Sequence, residues 1–163
     1  MMTVSDILRR RVHAVGPVYF DEFMEIALYG EGGFFASGPL RSAATGDFLT
    51  SPEVSHWFGR TIGKFLAETM AAGCVVEVGA GSGSLLENLI PELTGDVEAW
   101  AVEASPMARG SLTDVLPPDR VISTMNQLPG SLDGAIVANE LIDNLPVALA
   151  VRRGSGWVCL LYT

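Results

Sequence analysis

Residues Cys74–Gly83 read CVVEVGAGSG, an apolar run that meets glycines at 79, 81 and 83 with Glu77 just ahead of them. The run has the pattern of a strand. Leu85, Leu86, Leu89 and Ile90 give the stripe of a following helix, so the glycines fall on a strand-to-helix turn. Glycine there permits unusual dihedrals and close backbone approach, and the helix start beyond offers unpaired N–H groups. A tight turn with no ligand would fit the same pattern. Among ligands, two classes compete. The dinucleotide fingerprint G-x-G-x-x-G/A places its third small residue at Ser84, a mild mismatch. Glu77 discriminates more sharply, because a carboxylate beside the cradle repels a pyrophosphate. S-adenosylmethionine has no phosphate and carries an ammonium, a carboxylate and a sulfonium. Glu77 could hold the ammonium, directly or through water, while the loop amides face the carboxylate. Glu103, twenty positions after Gly83 at the end of the next strand, is placed for ribose hydroxyls. Ribose is common to both cofactors, so Glu103 supports nucleotide binding without choosing; its plain alternative is a solvated strand end.

Outward from the loop, residues 74–163 alternate strand and helix. Strand patterns cover Cys74–Gly79, Val97–Glu103, Arg120–Thr124 and Ala135–Asn139. A helix over Ser105–Leu116 has Ser105 as N-cap and Pro106 at its first position. Val147–Val151 and Trp157–Tyr162 read as two further strands joined by Arg152–Gly156. This alternation predicts an α/β fold with a mostly parallel sheet, whose ligands sit at the carboxyl ends of the strands. Residues 1–73 read differently, as helices and a Gly-rich loop (Gly30–Gly46). Ile7, Leu8 and Val12 mark one stripe, Phe20, Phe23, Met24, Ala27 and Leu28 a second. Val54, Trp57, Phe58, Ile62, Phe65, Leu66 and Met70 mark a longer amphipathic helix. The expected organisation is thus 1–73 and 74–163 within one compact unit.

The chain has 163 residues, 48% hydrophobic and 18% charged, with a formal net charge of −9. This suits one globular domain and argues against nucleic acid and anionic membrane surfaces as partners. No apolar stretch is long enough to span a bilayer, and the first residues lack the apolar core of a signal peptide. Cys74 and Cys159 lie in apolar runs, which suggests two buried thiols, no disulfide framework and a reducing compartment; cytosol is the expected location. Arg9, Arg10 and Arg11 read as a solvated helix face. His13 and His56 show no metal-ligand spacing, so no metal is expected. Gly59–Lys64 (GRTIGK) faintly matches a phosphate loop, but the spacing is short and Phe65 stands where Ser or Thr would hold magnesium. There is no G-x-S-x-G elbow.

Two polar stretches remain. In Gly46–Glu53 (GDFLTSPE), Thr50 and Glu53 make a capping box and Pro52 fits a first helical turn, which leaves Gly46, Asp47 and Phe48 unexplained. In Ala138–Pro146 (ANELIDNLP), Asn139 could cap a short helix with Glu140 and Asp143 favoured by its dipole. Equally, Asn139 and Glu140 end a parallel strand, where a substrate would meet a cofactor.

Taken together, GPVYFDEFMEIALYGEGGFF (16–35), GDFLTSPEVSHWFG (46–59), VEVGAGSGSLL (76–86), VEASP (102–106) and ANELIDNLP (138–146) resemble the MidA-type S-adenosylmethionine-dependent methyltransferases. These include the mitochondrial complex I assembly factor that methylates a protein arginine. The combination of GDF-TSPE and NE--D--P is more specific than the glycine loop. The resemblance implies a class I, Rossmann-like methyltransferase fold. It assigns Glu77, Gly79, Gly81 and Gly83 to the methionine end of the cofactor and Glu103 to its ribose. Asp47, Thr50, Ser51 and Pro52 would lie beside the cofactor pocket. Asn139 and Glu140 would lie where the methyl group is delivered, with Glu140 or Asp143 orienting a guanidinium acceptor. It also implies a longer family chain, so the sheet is expected to be incomplete and the C-terminal half to be absent. WVCLLYT (157–163) reads as a strand buried on both faces, which an oligomer or a second chain would have to cover. The leading function is methylation of a protein nitrogen, arginine by resemblance. The alternatives are a shortened homologue that binds cofactor or partner without turnover, and an NAD-dependent oxidoreductase, which Glu77 and Ser84 disfavour.

Overall fold

The computed structural model describes residues 2–36, 49–70 and 72–162. In chain order its elements are α1 (Val4–Val15), β1 (Val18–Tyr19), α2 (Phe20–Tyr29), α3 (Ser51–Val54), α4 (His56–Thr69), β2 (Ala72–Val78), α5 (Ser84–Leu89), β3 (Asp96–Val102), α6 (Pro106–Leu112), β4 (Val121–Ile122), β5 (Gly134–Val137), β6 (Ala150–Arg153), β7 (Gly156–Cys159) and β8 (Leu161–Tyr162). They form two units. One joins Met1–Gly38 to Ile142–Thr163 and the other is Pro39–Leu141. The change of pattern at residue 74 therefore falls inside the second unit.

In that second unit a four-stranded sheet has the order β4-β3-β2-β5, all parallel. β2 is the central ribbon. Its residues Ala72–Val78 pair with Asp96–Val102 on one side, and Cys74–Glu77 pair with Gly134–Val137 on the other. A strand enclosed in this way must be apolar on both faces, and Cys74, Val75 and Val76 are buried as CVVEV predicts. On one face Val75 packs with Leu66 of α4 and Leu85 and Leu89 of α5. On the other, Cys74 and Val76 pack with Val102 and Ile122. α5 has six residues, too few to be stable alone. Burial of Leu85, Leu86 and Leu89, at about 2 kcal/mol each, holds it on the sheet. The sheet order runs outward from β2 in both directions, so the chain switches side between β2 and β5.

GRTIGK lies within α4 and is a helix-crossing surface, with no loop to receive a phosphate. A Cβ on Gly59 would stand 2.9 Å from the Leu85 carbonyl, and one on Gly63 would stand 2.5 Å from the Leu89 carbonyl. The two glycines, one turn apart, let α4 lie directly against α5. The expected helix stripe over 54–70 also divides. Phe58, Ile62, Leu66 and Met70 face the core, whereas Trp57 and Phe65 are exposed on α4, and Val54 is exposed before the break at Ser55.

In the first unit, Thr3 caps α1. Its hydroxyl donates to the Asp6 carboxylate at 2.7 Å, and these hydrogen bonds hold the Asp6 carboxyl below its ordinary range. Arg9 and Arg10 are solvated, as expected, while Arg11 pairs with Glu22 of α2 at 2.5 Å. β1 pairs antiparallel with β8, and β6 with β7. The C-terminal strands thus form small antiparallel pairs outside the parallel sheet. The run WVCLLY is not a strand buried on both faces. It breaks at Leu160, whose N–H donates to the Leu149 carbonyl at 2.7 Å, and Trp157, Val158, Leu160 and Leu161 are exposed. Apolar continuity alone does not distinguish an enclosed strand from a hairpin arm.

Close helix crossing yields a prediction. Gly63→Ala places a methyl against the Leu89 backbone, which cannot swing aside, and should destabilise the chain by about 1–3 kcal/mol in urea unfolding. Gly110→Ala, in α6 with open space around its Cβ, should be neutral or gain up to about 1 kcal/mol. Equal effects at the two positions would show that α4 and α5 are not in close contact.

Candidate functional site

The switch between β2 and β5 opens at the carboxyl ends of the strands, where parallel α/β sheets bind ligands. Two loops meet there. A Cβ added at Gly79 would lie 2.9 Å from Leu141 Cδ1, so the turn after β2 touches the segment after β5. Gly79, Gly81 and Gly83 all have positive φ (74°, 54° and 88°), which a side chain would resist, and this turn is what requires glycine.

In the free chain the N–H groups of these three glycines already have partners within the chain. The Gly79 N–H donates to the Val102 carbonyl at 2.8 Å and the Gly83 N–H to the Ala80 carbonyl at 2.9 Å. The Gly81 N–H donates to Glu103 Oε2 at 2.9 Å. Glu103 also accepts from the Ser105 N–H through Oε1 at 2.7 Å. Its carboxylate, just past the end of β3, therefore fixes the glycine turn and the start of α6 together. Each oxygen keeps a second lone pair for a hydroxyl. Arg109 donates to the Glu103 and Ala104 carbonyls, both at 2.7 Å, and steadies the same corner.

Glu77 is the unusual member. It is 4% exposed, the buried charged residue among the described ones, and its Oε2 has no hydrogen-bond partner. By strand alternation it shares the face of Val75 beneath α5, and the Leu86 N–H is its backbone donor. Burial first, and the Glu103 charge second, push its carboxyl from 4.5 up to about 8, against the Leu86 hydrogen bond. The carboxylate that the sequence suggests is thus a neutral acid at pH 7 in the free chain. An orphaned oxygen in a dry site is costly unless a donor arrives.

Around the turn, α3 brings in a residue that sequence reasoning treated only as a cap. The Glu53 carboxylate accepts from the Thr50 N–H and hydroxyl at 2.9 and 2.6 Å, as a capping box should, and its other oxygen accepts from the Ser82 hydroxyl at 2.9 Å. Glu53 thereby ties TSPE to the glycine turn. Pro52, Glu53 and His56 on one side, and Ser82, Ser84, Glu87 and Asn88 on the other, line an open groove of about 350 Å³. A contact between residues 29 apart has no local signature. Thr50, Ser51 and Pro52 therefore start α3 beside the turn. Asp47 lies outside the described residues.

Beyond β5, Asn139 is half-buried, and Glu140 adopts φ +52°, the left-handed region, alone among the described non-glycine residues. Such a backbone costs about 1–3 kcal/mol and clusters at functional sites. Asp143 falls in the other unit, exposed in the 3₁₀ turn Ile142–Asn144. Among the described residues no group of His, Cys, Asp or Glu is arranged to hold a metal, and no helix is long and apolar enough to cross a membrane.

The raised Glu77 carboxyl has a consequence for stability. Between pH 4.5 and about 8 the folded chain keeps a proton that the unfolded chain has lost, so stability falls as pH rises through that window, by an order of a few kcal/mol. Urea midpoints at pH 5.5 and 8 should show this fall, and Glu77→Gln should flatten it. An equal fall in the variant would assign the effect elsewhere.

Residues 55–163 match a family described as "putative S-adenosyl-L-methionine-dependent methyltransferase". The curated relatives include protein arginine methyltransferase NDUFAF7, mitochondrial, of Danio rerio, 37% identical over 51% of this chain and 21% of that protein. The Rattus norvegicus protein of the same name is 32% identical over 94% of this chain and 44% of its own length. Among solved structures, a COG1565 superfamily member from Burkholderia thailandensis bound to S-adenosyl-homocysteine is 28% identical and superposes with a TM-score of 0.76, over 97% of this chain and 46% of that one. The chain spans less than half the length of these relatives. The sheet, its switch point and these matches agree on a Rossmann-like class I fold, and the chain belongs to the MidA-type family of S-adenosyl-L-methionine-dependent methyltransferases.

Proposed function

We propose that this chain carries the cofactor site of a methyltransferase that modifies a protein nitrogen, arginine by analogy with the named relatives. The observation that supports it most is the buried Glu77 oxygen without a partner, at the carboxyl end of the central strand. A cationic group with N–H donors completes that site; a phosphate does not. A pyrophosphate is normally held by loop amides, and here the amides of Gly79, Gly81 and Gly83 already have partners. The residues present therefore fit S-adenosyl-L-methionine better than NAD.

The cofactor supplies a sulfonium methyl to a nucleophile. In this reading Glu77 holds the ammonium end, and Glu103 keeps its free lone pairs for the ribose hydroxyls. Asn139 and Glu140, on the touching segment, hold the acceptor nitrogen, and Glu140 takes the proton that nitrogen gives up. Thr50, Ser51 and Pro52 flank the pocket. The work of these side chains is alignment, since no covalent enzyme intermediate is needed. A net charge of −9 favours encounter with a basic protein segment.

Calorimetry with S-adenosyl-L-methionine and with NAD tests the cofactor, and methyl transfer to arginine-rich peptides tests the acceptor. Binding of the first and not of NAD is expected, weakened at least tenfold by Glu77→Ala at pH 8. Binding of NAD alone would overturn the proposal. Cofactor binding without transfer to any peptide would leave the binding-module alternative in its place.

A further inference from the structure

Glu77 sits between two constraints. Its side chain is buried, on the Val75 face of the sheet by strand alternation, with one oxygen unpartnered. On β3 its register partner is Ala101, and the charged group that acts on it is Glu103, just past the strand end. On β5 its partner is Val137, and α5 offers the Leu86 N–H. No cation acts on it among the described residues. The Glu103 carboxyl accepts from the Gly81 and Ser105 amides, whereas the Glu77 Oε2 has no partner, and burial disfavours the charged form of Glu77.

We propose, on the strength of the cofactor reading above, that Glu77 is an acid in the free chain and gives its proton to solvent on pairing with the α-ammonium of the cofactor. The O–H bond of Glu77 breaks, the proton goes to the buffer, and the ammonium keeps its three protons. Burial and Glu103 hold the free acid up to about 8, and a paired cation reverses the preference. Cofactor capture is therefore proton-coupled. Affinity rises with pH below 8, close to tenfold per unit at most, because the bound state carries one proton fewer. The same exchange removes the pH-dependent destabilisation of the free chain, so the loaded chain loses little stability between pH 6 and 8.

The test is a titration of the chain with S-adenosyl-homocysteine at pH 6.5, in two buffers of different ionisation heat. This ligand carries the same ammonium, more basic than a peptide N-terminal amine at about 7.7–8.0, so it enters charged at pH 6.5. Close to one proton released per bound molecule is expected, with the dissociation constant falling five- to tenfold from pH 6 to pH 7. Glu77→Gln, a neutral group of the same shape, should still bind but release no proton and show no such pH slope. Binding by the unaltered chain with no proton release, or release that persists in Glu77→Gln, overturns the proposal. Failure of the unaltered chain to bind at any pH is a different result, and removes the cofactor reading on which the proposal rests.

Discussion

β2 is hydrogen-bonded along both edges and covered on both faces, and near its end it carries a carboxyl into a place where burial disfavours the charged form. That conflict is the constraint on which the rest depends. An apolar residue at 77 would satisfy the core better. Retaining Glu77 makes sense if something with a positive charge is to meet it, and the fold is arranged so that this happens at the switch between β2 and β5. The turn after β2 and the segment after β5 touch there, and Glu103 braces the turn from the end of β3.

The glycines play a different part from the one usually given to such loops. Their positive φ angles and the close approach of Leu141 require them, but their N–H groups are spent on the chain itself. The site therefore offers a ligand carboxyl side chains more than main-chain donors. That chemistry separates a sulfonium cofactor with an ammonium tail from a dinucleotide with a pyrophosphate.

Much of this was legible in the residues. The strand–turn–helix around Gly79, the Ser105–Pro106 start of α6 and the Thr50–Glu53 cap follow from short-range patterns, and each is present. What was not legible arises from contacts between distant residues. The bond from Ser82 to Glu53, the inward amides and the raised carboxyl of Glu77 depend on which surfaces the fold brings together. Gly59 and Gly63 look like half a phosphate loop until α5 is seen lying on them. WVCLLY has the apolar content of an enclosed strand, yet it breaks at Leu160 into two short pairings, because a hairpin arm and a core strand share one composition.

The most direct measurement is a crystal structure of the chain with S-adenosyl-homocysteine. The account requires the ammonium nitrogen of the ligand to lie within about 2.7–3.2 Å of Glu77 Oε2, or of one water bonded to it, with the ribose hydroxyls on Glu103. A ligand bound elsewhere, or one bound at the switch point with Oε2 still lacking a partner, would contradict it.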